Sequence, residues 1–149
     1  MRKKLAGALV AAVALPWLLS ACGGESGSPA ADAPAGPQTF AVTGEVLERG
    51  AGVYKINCVA CHGPEGKGDG PSAASLDPPP RDHSNREYMD ALTDQEIADT
   101  IVAGGAPRGY PNMPSNPHIK GDDLVSLVAF VRTLGRGPDG VQEVELLLK

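Results

Sequence analysis

The sequence predicts an all-α domain with long irregular connections. Three segments carry helical periodicity: residues 44–57, 93–103 and 121–134. Gly 19 and Pro 14 together exceed one fifth of the 149 residues, which places long stretches outside helices. Aromatic residues make up only 4%, little for a chain that must build a core, so a flat apolar group from outside the polypeptide would complete it. The length suits one domain, expected over residues 43–136, with an extension at 137–149.

Residues 1–21 read as an export signal. Met1-Arg2-Lys3-Lys4 is the basic start and Leu5 to Leu19 the apolar run, too short for a comfortable membrane span and interrupted by Pro16. The run ends Leu19-Ser20-Ala21-Cys22, which resembles the lipobox of bacterial lipoproteins. There the cysteine receives a diacylglycerol and becomes the mature N-terminus. An ordinary signal peptide would instead leave an unpaired thiol, a liability in an exported protein. The expected location is therefore extracytoplasmic, on the periplasmic face of a bacterial membrane, anchored by lipid at Cys22. Residues 22–42, rich in Gly, Ser, Ala and Pro, read as the lipidated end and a flexible tether. Twenty residues reach roughly 25 Å as a coil and about 60 Å as polyproline II. Losing Arg2, Lys3 and Lys4 with the leader lowers the formal charge of −5 by three more, to −8, which argues against nucleic acid as a partner.

The first helix, 44–57, places Val46, Gly50, Val53 and Tyr54 near one face, and Gly50 leaves room for another helix to cross. It runs straight into Cys58-Val59-Ala60-Cys61-His62, the attachment sequence for c-type haem. Two thiols at this spacing add across the two porphyrin vinyl groups, and the next residue, His62, is then held beneath the iron as proximal ligand. Three other readings exist. A dithiol redox centre wants a βαβ neighbourhood. A closed zinc site wants four ligands, and only Cys22, His83 and His118 could add to the cluster. A structural disulfide would suit an exported protein. With the lipid and haem readings, all three cysteines are used and no disulfide remains.

Residues 63–90 show few periodic signals. Gly63 to Pro71 is loop chemistry throughout. Pro78-Pro79-Pro80 is rigid and extended, so this segment, centred on Pro79, can lie against a haem face. One of its carbonyls can accept the Nδ1 proton of His62; the alternative is a mere spacer. Thr93 and Glu96 form a capping box for the second helix, whose apolar face is Ile97, Ala98, Ile101 and Val102, and Gly104-Gly105 ends it. The stretch Ala106–Pro117 holds four prolines and Met113. The third helix, 121–134, follows Leu124, Leu127, Val128 and Val131, with Asp122 and Asp123 at its start and Gly135 with Pro138 as its stop. The tail Val141–Lys149 fits a short helix with Val141, Val144, Leu147 and Leu148 inward, a strand, or no fixed structure.

Taken together, Gly50-x-x-x-Tyr54, Cys58 through Gly63, Gly66 through Pro71, Pro78 through Asp82, Thr93 through Ile97, Gly104-Gly105, Met113-Pro114 and Leu127 through Arg132 resemble the bacterial class I cytochromes c over residues 44–135. The resemblance implies the class I cytochrome c fold, an all-α arrangement around one covalent haem c, in which the first and last helices cross and Gly50 and Tyr54 meet Phe130. It implies Met113 as distal iron ligand and Arg81 beside a haem propionate. His83 departs from the aromatic or aliphatic residue often found there, and the tail after 136 has no family counterpart. Met89, His83 and His118 compete with Met113; Met89 suits a core, and the two histidines suit solvated loops.

The implied activity is single-electron transfer by a membrane-tethered carrier that is not an enzyme, between a redox-protein donor and acceptor, with a membrane oxidase or reductase among them. The alternatives are a tightly bound cytochrome subunit of such a complex, or a haem enzyme or sensor with an exchangeable distal ligand. A filled distal site leaves no open position for oxygen or peroxide. Val59-Ala60 and Ala106 through Pro114, with Arg108 their one charge, are the expected docking face, and Ser126 the far side.

Overall fold

A computed structural model describes residues 36–148. The leader, Cys22 and the tether up to residue 35 lie outside the described residues. Five helices follow in order: α1 Gly44–Asn57, a single turn α2 Val59–His62, α3 Arg86–Asp90, α4 Asp94–Ala103 and α5 Asp122–Arg136. Two short strands, β1 Gln38–Ala41 and β2 Glu143–Leu146, pair antiparallel with Phe40 opposite Val144.

Local signals account for the helix ends. Thr43 caps α1 by accepting from the Val46 amide at 3.3 Å. The capping box of α4 is closed in both directions, with Glu96 N–H to Thr93 Oγ1 and Thr93 N–H to Glu96 Oε2. α5 runs two residues past its expected end. Gly135 is accommodated inside it, and the stop comes at Gly137, whose φ of +76° precedes Pro138.

α5 is the centre of the core. Leu127, Val128 and Ala129 have no exposed surface; burying Leu127 and Val128 contributes about 2 kcal/mol each. α1 crosses α5 at Gly50, where a Cβ would run into the Ser126 carbonyl and come within 2.7 Å of the Phe130 Cβ. Close backbone approach at that point requires glycine. One helical turn on, the buried Tyr54 packs on Phe130 with ring centroids 5.2 Å apart. Ser126, expected on the far side, is instead 2% exposed beneath α1. Arg132 is also buried: it pairs with Asp94 at 2.7 Å and donates to the carbonyls of Met89 and Leu92, tying α3 and α4 to α5.

The tether expectation needs correction, and of the three readings open for the tail the strand is the one found. Residues 38–41 are not part of a free tether, and the extension is neither helical nor separate. Val144 and Leu146 are buried while Glu143 and Glu145 are exposed, a period of two that matches a strand and not a helix. The outer edge of β2 is satisfied by side chains of α4: Glu145 N–H donates to Asp94 at 2.8 Å and Leu147 N–H to Gln95 at 2.7 Å.

Candidate functional site

The Cys-x-x-Cys-His stretch takes up one helical turn. The amide of Cys58 still donates to Tyr54, closing α1, and the amides of Cys61 and His62 both donate back to the Cys58 carbonyl. In that turn positions i, i+3 and i+4 lie on one face, so Cys58, Cys61 and His62 point the same way. All three line one cavity of about 1080 Å³, solvent at its mouth included. Residues 63–72 fold back over the turn, with Gly68, Gly70 and Ser72 N–H donating to the carbonyls of His62, Cys61 and Ala60. Among the described residues both thiols are free. Burial, with Cys61 nearby, pushes the Cys58 thiol up to about 11.

His62 is buried and its Nδ1 lies 2.9 Å from the Arg81 carbonyl. A carbonyl only accepts, so the proton sits on Nδ1 and Nε2 keeps its lone pair for a metal. Burial lowers the affinity of this ring for a second proton, which keeps it neutral. The accepting carbonyl belongs to Arg81, one residue beyond the three prolines. Pro78 and Pro80 line the cavity, whereas Pro79 is exposed and does not. The expected role of Pro79 is thus corrected: in an extended segment alternate residues face opposite ways, and it faces out.

Met113 lines the same cavity and is half-buried. Its carbonyl accepts from Gly105 N–H and its amide donates to Tyr110, both at 3.1 Å. A Cβ on Gly105 would come within 2.8 Å of the Met113 Cβ, so the second glycine of the pair makes room for the methionine. Met89 also lines the cavity but is 4% exposed, with its carbonyl bound to Arg132. His118 is exposed, does not line the cavity, and lies 3.4 Å from Asn57 Oδ1.

His83 is not the solvated loop histidine expected. Its ring stacks on His62 at 4.1 Å and stands edge-on to Tyr54 at 6.4 Å. Its Nδ1 is sealed from solvent without a partner, and burial pushes its pKa down to about 3, so it is neutral. Because it stacks on His62, it lies on that side of the cavity and is no rival to Met113. The Arg81 guanidinium lies over the rings of Tyr88 at 4.2 Å and Tyr110 at 4.9 Å. It reaches the cavity and, among the described residues, forms no ion pair with a carboxylate, so it can meet an anionic group.

The cavity fits a haem. Its lining is dominated by apolar groups such as Leu76, Leu92, Ile97 and Ile101. Two thiols and one neutral imidazole share one face of a helical turn, and an uncompensated guanidinium stands at its edge. Tyr88 and Tyr110 were missed from sequence because no period or spacing marks them, and His83 was weighed there only as a solvated loop residue. The position of His83 three residues after a rigid proline run was the available signal.

A family model described as Cytochrome c matches residues 47–135. No curated protein matches the chain.

Proposed function

Because the chain belongs to the cytochrome c family, we propose that it is a membrane-tethered monohaem carrier moving single electrons between extracytoplasmic redox proteins, and not an enzyme. Family membership brings one covalently attached haem c, whose iron supplies one-electron exchange, and redox partners to exchange with. The observation that supports the finer reading is that Cys58, Cys61, His62 and Met113 line one cavity. In it Cys58 and Cys61 would hold the group covalently and His62 would offer Nε2, its ring fixed by Arg81 O. Met113 offers a soft thioether, and Arg81, steadied by two tyrosines, meets a propionate. With Met113 as a ligand, the iron would change charge without an open position for substrate.

Haem should resist acid-acetone extraction from the mature protein and be lost in the double variant Cys58→Ser with Cys61→Ser; quantitative extraction sinks the reading. Carbon monoxide binding to the native ferrous protein would point instead to an exchangeable site. Anchoring at Cys22 is tested by mass spectrometry of the mature N-terminal peptide, where absence of diacylglycerol refutes it.

We propose that the redox partner docks at the attachment turn. Ile56, one residue before the cavity-lining Asn57, is 82% exposed, and Ala60 is exposed beside it. Arg108, the one charge in Val59-Ala60 and Ala106 through Pro114, is paired with Glu96 at 3.2 Å. Ala60→Asp should slow second-order electron transfer without moving the midpoint potential. Thr39→Asp, on the exposed face of β1, should not; equal slowing by both would remove the turn as docking face.

A further inference from the structure

Met113 sits on irregular chain. Between Gly104 and Pro117 the only regular piece is the 3-10 turn Ala106–Arg108. The inner side of this stretch is well tied. Beyond the Gly105 and Tyr110 bonds to Met113, Asn116 donates to Ile101 O through its amide at 3.1 Å and through its side chain at 3.2 Å. On the outer side Asn112 Nδ2 donates to the Asp77 carbonyl at 2.8 Å, bridging 35 residues of sequence. Asn112 and Asp77 are both exposed, and both of their segments line the cavity, through Asn112, Met113 and Pro114 on one side and Leu76, Pro78 and Pro80 on the other. The bond therefore lies at the cavity's rim. Among the described residues it is the one hydrogen bond between these segments.

We propose that Asn112 is a strap: a positioning residue that holds the Met113 segment closed on the Leu76–Pro80 segment, and whose release governs displacement of the Met113 thioether by an external ligand. This rests on the reading of Met113 as distal ligand. The chemistry of the pair suits the task. Pro80, three residues on, has no N–H to close a turn onto the Asp77 carbonyl, which is free for a side-chain amide. The bond is neutral, exposed and single, so its net worth is small and it opens often. Displacement of Met113 needs the segment to move away from Leu76–Pro80, and the bonds of Gly105 and Asn116 tie it to itself and to Ile101 of α4, not to that segment. The strap thus sets the frequency of opening while leaving the resting ligand set unchanged.

The test uses full-length holoprotein in the ferric state with imidazole as the external ligand. Asn112→Ala should bind imidazole about fivefold faster, the factor that corresponds to one neutral hydrogen bond. Its midpoint potential and its ferric sulfur-to-iron charge-transfer band should stay as in the parent. Asp77→Asn should leave the rate unchanged, because the acceptor is the backbone carbonyl. Ile119→Val, a mild cavity in the buried core nearby, controls for general loosening. An unchanged rate in Asn112→Ala, or equal acceleration by Asp77→Asn or Ile119→Val, overturns the strap. Failure of the underlying reading looks different: Met113→Ala would then keep the charge-transfer band and bind imidazole no faster than the parent.

Discussion

His62 and Met113 line the same cavity, yet the chain holds them by different means. His62 closes a helical turn that continues α1, is 8% exposed, and is braced by the Arg81 carbonyl, the His83 ring and a loop folded over its own carbonyl. Met113 is half-buried on a segment whose one regular piece is a short 3-10 turn, held by backbone bonds within that segment and by two asparagine side chains. Regular structure satisfies its polar groups internally, so the first side depends on packing; the second depends on individual bonds that water can replace. The histidine side is therefore the frame and the methionine side the part that opens, in keeping with local stability following buried contacts.

The largest effect should come from breaking the frame. Gly50→Val would force α1 away from the Ser126 backbone, and a loss of about 3 kcal/mol or more is expected, read as the urea midpoint of the holoprotein. If Gly50→Ala is already as stable as the parent, the crossing is looser than described and the contrast between the two sides weakens.

On the proposed reading of Met113 as distal ligand, its exchange should change redox properties and leave the frame alone. Met113→His replaces a neutral soft donor by imidazole and should lower the midpoint potential by roughly 0.1 V or more, with little change in the urea midpoint. A potential that did not move would remove Met113 from the iron.

His83 sharpens the comparison from within the frame. His83→Ala removes the ring stacked on His62 and should cost about 1 kcal/mol and alter the ferric magnetic-resonance signature of the His62 plane. His83→Phe keeps a ring there, removes an unpartnered buried nitrogen, and should restore both. No difference between the two variants would show that the stack does not orient His62.

The smallest effect lies outside both sides. Arg136 bonds Asp90 at 2.8 Å, and that bond, with nearby arginines, holds the Asp90 carboxyl below the usual carboxylate range. A depressed folded pKa contributes stability above the unfolded value and loses it as pH falls through the folded one. Asp90→Asn should thus be slightly less stable than the parent near neutrality and equal to it at strongly acid pH. The pair is exposed, so the difference should be close to the limit of a urea titration.

The attachment turn was legible in the sequence because its chemistry is local: five consecutive residues set the positions of both thiols and the imidazole. The boundaries of α1 and the capping box of α4 were legible for the same reason, since caps act over three or four residues. Short α3 was not, because five residues are too few to display a period.

What the chain alone determined, then, was the three longer helices and the turn that carries both thiols and the imidazole, each governed by interactions within a few residues. Only the tertiary structure decided which carbonyl braces His62, that Pro79 turns outward, that His83 is buried against His62, and that residues 38–41 pair with 143–146. Each of these joins segments distant in sequence: Arg81 is 19 residues from His62, and β1 and β2 lie at opposite ends of the described chain. No propensity or spacing encodes such a pairing. It follows from how the helices close around α5 and from the need of each buried polar group for a partner.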